Sequence, residues 1–177
     1  MSSELIEALL EEALAILETD DGGATASGDE AVFGLRAGGR PVRVIAADLR
    51  CGIDEIEEAI ERARRRRPEL RFTEDRIAWE LHRAVAEKLE RDGTGVIAVA
   101  RRNLVRVRQE KRNSAMEPWV DEWASLLDGD RARLIETMLD GDEHAADLRR
   151  LALFAGTLSE AERLLAVRKA GLARAAD

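Results

Sequence analysis

Apolar residues recur at helical spacing along most of this chain, and this periodicity constrains the fold more than any other feature. Residues 5–17 carry Leu, Ile and Ala three or four positions apart, with glutamates on the opposite side. The same spacing continues from Thr73 almost to the C-terminus. Because residues three and four apart share one face of a helix, both stretches are predicted to form amphipathic helices. The second stretch predicts an all-helical domain over 73–177.

Capping residues divide this second stretch into separate helices. Ser, Thr and Asp side chains accept hydrogen bonds from the free N–H groups of a first helical turn. This predicts caps at Thr73, Asp130, Asp142 and Ser159. Pro118 is predicted to open a further helix. The segment 94–113 contains strand-forming valines, but its apolar residues keep helical spacing throughout, which predicts a helix.

Residues 1–70 carry a different pattern. The sequences EAVFGLRA and PVRVIAAD flank Gly38 and Gly39, and glycines supply the positive φ angles of a tight hairpin turn. Two strands alone are marginally stable in water, so the hairpin is expected to pack on a helix. One helix is predicted before it, and another follows over 53–68, where Asp54 and Glu57 provide a capping signal.

The predicted fold class is therefore mainly α, of the α+β kind. A small N-terminal α-β-β-α unit over 1–70 precedes the helical domain over 73–177. With three Trp, three Phe and no Tyr, the core must be built mainly from Leu, Ile, Val and Ala, which favours helix packing.

Charge is distributed unevenly along the chain, although the net charge is -8. Residues 1–30 hold nine acidic residues and no Lys or Arg, and 121–147 hold nine acidic residues against two arginines. Between them, 61–71 and 95–113 each hold six basic residues. The net charge argues against a protein that coats nucleic acid overall, but the basic middle of the chain is compatible with a local site.

Two basic patches are therefore candidate binding residues for nucleic acid or a partner. The first is the run Arg64, Arg65, Arg66 and Arg67, and the second comprises Arg101, Arg102, Arg106, Arg108, Lys111 and Arg112. Each patch also has a structural interpretation. Cations in the last turn of a helix complement its dipole, and the second patch can dock on the acidic residues of 121–147. The sequence leaves both interpretations open.

The sequence predicts no catalytic, cofactor or metal site. Cys51 and His82 could in principle form a nucleophile and a base, but the sequence shows no neighbour that would lower the thiol pKa. His82 and His144 with one cysteine supply too few ligands for a typical zinc site. The single cysteine and the absence of a long apolar run predict a cytoplasmic protein without a membrane segment.

The stretch LRRLALFAGTLSEAER, residues 148–163, breaks a helix and restarts it. Gly156 suits the left-handed conformation that ends a helix, and Phe154 and Leu158 can bury the corner. Ser159 and Glu162 have the spacing of a capping box.

This stretch resembles the tail of a family of small, largely uncharacterised bacterial helical proteins, with the pattern L-R-x-x-S-P-F-A-G-x-L-S-x-x-E-R. The matching residues are Leu148, Arg149, Phe154, Ala155, Gly156, Leu158, Ser159, Glu162 and Arg163. Segments 80–92, 100–108 and 119–129 match in order, so the resemblance covers about residues 75–168. It implies a regulator or an antitoxin-type partner. Leu153 stands where the pattern has proline, and the N-terminal unit differs from the helix-turn-helix of some members.

The leading hypothesis is a non-enzymatic intracellular regulatory protein of antitoxin or adaptor type that acts by binding a partner protein. It depends on the resemblance, on the lack of a catalytic motif, and on charge segregation that suits an oppositely charged surface. The alternative is a nucleic-acid-binding transcriptional regulator that uses the central arginine patches. Homo-oligomer formation is left open.

Overall fold

The structure is a computed structural model that describes residues 3–19, 25–110 and 116–174. Within these ranges every regular element is helical, and the helices are α1 (Ser3–Thr19), α2 (Ala26–Ala37), α3 (Val42–Leu49), α4 (Ile53–Arg65), α5 (Thr73–Arg91), α6 (Gly93–Glu110), α7 (Glu117–Asp128), α8 (Arg131–Leu139), α9 (Glu143–Arg149) and α10 (Glu160–Arg174). The chain forms two compact units: unit 1 is Met1–Pro68 with Val167–Asp177, and unit 2 is Glu69–Ala166. Helix α10 therefore contributes residues to both units.

Unit 1 is built around α2, which packs against α1 and α4. Its core contains the fully buried Phe33, Leu35 and Ile45, together with Ile56, Ile60 and alanines of α2, α3 and α4. Leu172 of α10 packs against the same core. With only Phe33 as an aromatic residue, this core is small and aliphatic.

The predicted hairpin is wrong, because its two proposed strands lie in helices α2 and α3. Thr25 Oγ1 accepts a hydrogen bond from Gly28 N at 3.0 Å and so caps the start of α2. Gly39 has the positive φ expected of a turn, +99°, but the turn joins two helices. Pro41 then directly precedes α3. Every regular element among the described residues of the predicted α-β-β-α unit is consequently a helix.

Helix α4 occupies its predicted place, but its N-terminal signal differs. Gly52 N donates a hydrogen bond to Glu55 Oε2 at 2.6 Å. The capping contact therefore involves Glu55 rather than the predicted pair Asp54 and Glu57. The helix ends at Arg65, three residues before Pro68.

Unit 2 packs α5 against α6, α8 and α9, while α7 packs against α6 and α8. Its core includes the fully buried Trp123, Leu89 and Met138, with Phe154 from the segment after α9. The ambiguous valine-rich segment is helical, as predicted, and forms α6. Its Ala100 and Leu104 face the core.

The predicted caps of unit 2 are confirmed at three helices. Asp142 Oδ1 accepts a hydrogen bond from Ala145 N at 2.7 Å, and Asp130 Oδ2 accepts one from Arg133 N at 3.4 Å. Ser159 caps α10. Thr73 is the first residue of α5 rather than its cap, a position that Phe72 takes.

Candidate functional site

The arginine run 64–67 lies at the end of α4 and is largely paired within unit 1. Arg64 pairs with Glu61, Arg66 pairs with Asp29, and Arg67 pairs with Glu30 at 3.0 Å. Arg65 is exposed, and no ion pair among the described residues engages it. The charges of this run are therefore mostly compensated by acidic residues of the same unit.

The two acidic residues that pair with Arg66 and Arg67 are adjacent and lie in the first half of α2. Asp29 is only 2% exposed, and Arg62 donates to its carboxylate from Nε and Nη2 at 2.8 to 3.2 Å. Glu30 also accepts from Lys169 Nζ, at 2.8 Å. We call this set, comprising Asp29, Glu30, Arg62, Arg66, Arg67 and Lys169, the unit 1 ion cluster. It joins α2, α4 and α10.

Arg67 is the most enclosed cation of the unit 1 ion cluster. Its guanidinium lies 3.8 Å from the centroid of the Phe33 ring, and Nη1 donates to the carbonyl of Ala63 at 2.6 Å. Stacking on an aromatic face suits a planar, weakly hydrated guanidinium. The sequence interpretation missed Glu30. A helical reading of 26–37 would have placed it with Phe33 on one face.

The second basic patch lies on α6, and part of it pairs with α7. Arg101 Nη2 donates to Asp128 Oδ1, and Arg108 Nη2 donates to Asp121 Oδ1, both at 2.8 Å. These pairs fit the structural interpretation of this patch, in which it docks on acidic residues of 121–147. Arg102 is exposed and has no ion pair among the described residues. Arg106 is exposed on the same helix, and Lys111 and Arg112 lie outside the described residues.

The stretch 148–163, on which the family resemblance depends, forms the corner between α9 and α10. Helix α9 ends at Arg149, seven residues before the predicted stop at Gly156, whose φ of +86° lies in the turn that follows. The predicted capping box is present: Ser159 N donates to Glu162 Oε2 at 2.6 Å, and Glu162 N donates to Ser159 Oγ at 3.2 Å. Arg163 is exposed.

A side chain of α6 and burial of the corner's own apolar residues hold this corner in place. Asn103 Nδ2 donates to the carbonyls of Leu153 and Ala155 at 2.8 and 2.9 Å. Phe154 is buried, as predicted, and Leu158 packs against the core of unit 2. Leu153, in the place where the family pattern has proline, is also buried there. The corner is thus an ordered part of the unit 2 core.

His82 is buried beside this corner. Its ring stacks on Trp123 with centroids 6.3 Å apart and meets Phe154 edge-on at 5.6 Å. Its Nδ1 lies 2.8 Å from the carbonyl of Ala78, which fits a donated hydrogen bond. Burial, assisted by the positive charge of the nearby Arg149, lowers the pKa of His82 to about 4. The ring is therefore neutral near pH 7.

Arg149 is the most buried cation of unit 2, at 3% exposed. Its Nη1 donates to the carbonyls of Met138 and Asp140, at 3.2 and 2.6 Å, where α8 ends. This bonding satisfies carbonyls at the C-terminal end of α8, which have no partner within that helix.

Cys51 and His82, the remote enzyme candidates, lie in different units. Cys51 Sγ donates to the carbonyl of Leu49 at 3.3 Å, and burial together with Glu55 raises the pKa of the thiol. A raised pKa reduces the thiolate fraction that a nucleophile needs. His144 pairs with Glu122 at 2.9 Å, and this hydrogen bond raises the pKa of His144.

Phe72 differs from every other aromatic residue of the chain. Four of the six aromatic side chains are buried and Trp119 is partly buried, whereas Phe72 is 56% exposed. The guanidinium of Arg71 lies 5.5 Å from the centroid of its ring. Sequence interpretation missed Phe72. The available signal was its position between the helices predicted at 53–68 and from 73, outside either apolar face.

Comparisons with protein families, curated proteins and solved structures find no match for this chain. None of the described helices is both long enough and apolar enough to cross a membrane. In the described ranges, no three His, Cys, Asp or Glu side chains are grouped as a metal ion would require.

Proposed function

We propose that this chain is a non-enzymatic regulatory protein of antitoxin or adaptor type, which acts by binding a partner protein through a surface that includes Phe72. The exposure of Phe72 carries this proposal. Aromatic residues and arginine are enriched at protein interfaces, where a few such side chains supply most of the binding energy. Phe72 and the neighbouring Arg71 provide this combination at the start of α5, in a chain whose other aromatic rings are buried or partly buried.

The pairing of the basic patches supports a protein partner over nucleic acid. Binding to a phosphate backbone needs several cations that release counterions together. In the described residues, Arg66, Arg67, Arg101 and Arg108 are already paired with carboxylates. A nucleic acid would have to compete with each of these carboxylates.

A tagged pull-down from the native host tests the proposal with Phe72→Ala. Recovery of a stoichiometric partner should fall at least tenfold, while the far-UV circular dichroism stays unchanged because the Phe72 side chain makes no capping hydrogen bond. Leu164→Ala is the matched control, since Leu164 is also an exposed apolar residue. Recovery of no stoichiometric partner by the wild-type protein, or equal loss with both variants, would contradict the proposal.

The antitoxin form of the proposal has a separate test. Co-expression of the chain with a toxic neighbouring gene should restore growth, and Phe72→Ala should weaken that rescue. A gel shift with DNA and RNA measures the alternative. Steeply salt-dependent binding that is reduced by Arg65→Ala and Arg102→Ala would favour a nucleic-acid regulator instead.

A further inference from the structure

Two exposed helix faces of opposite charge each carry an exposed aliphatic residue. The α6 face comprises Arg101, Arg102, Val105, Arg106, Arg108 and Gln109, and Val105 is 54% exposed. The α4 face comprises Ile53, Asp54, Glu57 and Glu58, and Ile53 is 50% exposed. At about 100° per residue, the α4 face spans roughly 140° of its helix and the α6 face roughly 160°, so the two faces are similar in width.

The charges on these faces are only partly satisfied within the chain. On the α6 face, Arg101 and Arg108 each use Nη2 toward α7, which leaves their other N–H groups available to a further acceptor. No ion pair among the described residues engages Arg102. On the α4 face, no ion pair among the described residues engages Asp54 or Glu57, whereas Glu58 pairs with Arg62 at 3.5 Å.

We propose that the α4 face of one copy of this chain docks on the α6 face of a second copy. Each face supplies what the other lacks: carboxylates for the guanidinium groups, and an aliphatic side chain to cover an aliphatic side chain. Opposite charge favours this pairing and disfavours α4 on α4 or α6 on α6. The phosphate backbone of a nucleic acid would match the cations of the α6 face but would offer no apolar group to Val105.

The contact is heterologous, since two different surfaces meet. A dimer formed in this way leaves one α4 face and one α6 face unused, so association continues with concentration unless the rotation closes a ring. One helix face against another is smaller than a stable interface of about 1,200 Å² or more, so the contact is weak and reversible. It is also weakened by salt, because its charges are exposed.

Sedimentation equilibrium of the full chain at low and high salt tests this contact. The wild-type protein should self-associate with concentration, and Arg102→Glu and Glu57→Arg should each weaken association at least tenfold. Mixing the two variants should restore it, because the intact α6 face of one meets the intact α4 face of the other. Arg43→Glu and Glu90→Arg are matched charge reversals at exposed positions outside both faces, and they should associate like wild type.

Three results would overturn the proposal. The wild-type protein could remain monomeric at every concentration, or the mixture could stay as weak as the single variants. Alternatively, Arg102→Glu alone could matter, which would assign the α6 face to a different acidic segment. Ile53→Ser and Val105→Ser provide a second pair that changes no charge, and both should weaken association. Phe72→Ala should leave self-association unchanged, so this contact and the proposed partner site succeed or fail separately.

Discussion

Unit 1 and unit 2 enclose polar side chains in different ways. In unit 1, carboxylates of the ion cluster form ion pairs with guanidinium and ammonium groups that lie far away in the sequence. In unit 2 the buried polar groups of Trp79, His82, Trp123 and Arg149 bond mainly to backbone carbonyls. When one side chain of an ion pair is substituted, the buried charge of the other side chain is left without its partner. A backbone carbonyl, in contrast, stays in place whichever side chain is substituted. The two units should therefore respond differently to substitution and to pH.

The two units can be followed separately in one sample. Trp79, Trp119 and Trp123 are the three tryptophans of the chain, and all lie in unit 2. Tryptophan fluorescence therefore reports the unfolding of unit 2, whereas far-UV circular dichroism reports the helices of both units.

The largest effect is expected from Glu30→Ala. The change leaves Arg67 and Lys169, both largely buried, without their carboxylate. Removing one partner of a buried ion pair destabilises a protein by about 3–5 kcal/mol, since an uncompensated charge stays behind. Urea unfolding should show this loss by circular dichroism, with little change in the fluorescence transition. Glu58→Ala is the control, because Glu58 forms an exposed pair and its loss should cost less than about 0.5 kcal/mol. An equal shift of both signals would contradict this expectation, because it would mean that the two units unfold in one transition.

His82 should give unit 2 an acid sensitivity of its own. Its pKa is about 4 in the folded protein against 6.5 when exposed, so the unfolded chain binds the proton first as the pH falls. The stability that depends on neutral His82 should be complete above about pH 6.5 and lost between pH 6.5 and 4, by about 3 kcal/mol. Fluorescence-monitored urea unfolding across this range measures the loss.

The matched comparison for this pH dependence is His82→Leu, which should flatten that part of the profile. His144→Gln should have the opposite effect on the profile and make the loss of stability at low pH larger. The raised pKa of His144 adds stability that is present below pH 6.5 and is lost as the pH rises through the folded value. A wild-type profile that is flat between pH 6.5 and 4 would contradict the role given to His82.

Ser159→Ala tests the corner between α9 and α10. It removes the hydroxyl that accepts from Glu162 N, and loss of such an N-cap costs about 1 kcal/mol. Thermal unfolding should show a correspondingly lower midpoint. Ser159→Asp should recover most of it, because an aspartate also caps. Failure of the aspartate to recover stability would assign the effect to something other than the cap.

Arg101→Ala should have the smallest effect. Its pair with Asp128 lies at the surface, where ion pairs contribute less than about 0.5 kcal/mol in most cases. Urea unfolding followed by fluorescence should barely change. A loss above about 1 kcal/mol would mean that this pair stabilises unit 2 more than exposed ion pairs usually do.

Much of unit 2 follows from local sequence, because its signals lie within a few residues of what they control. Asp130, Asp142 and Ser159 each accept a hydrogen bond from a backbone N–H three residues later. The helical period of α6 also outweighs the strand preference of its valines. Caps and helical periods of this kind can be recognised in the sequence without knowing which residues pack against them.

The hairpin prediction was wrong because acidic residues of α2 form ion pairs with residues far away in the sequence. Asp29 and Glu30 receive cations that lie 33 to 139 positions later in the chain. Without those partners, two acidic residues before an apolar run between glycines resemble a strand edge as much as a helix. The two glycines added to the error, since a positive φ at Gly39 suits a turn between helices as well as a hairpin.

Sequence alone determined the helical character of α1, α4 and α5 to α10, the caps at Asp130, Asp142 and Ser159, and the presence of two basic patches. These features depend on spacing within a turn or two of helix. Tertiary structure decided that α2 and α3 are helices, which arginines pair with which acidic residues, and that Phe72, Val105 and Ile53 stay exposed. The physical reason is that burial and ion pairing depend on residues brought together from distant positions of the chain. The local spacing of apolar residues does not identify those partners.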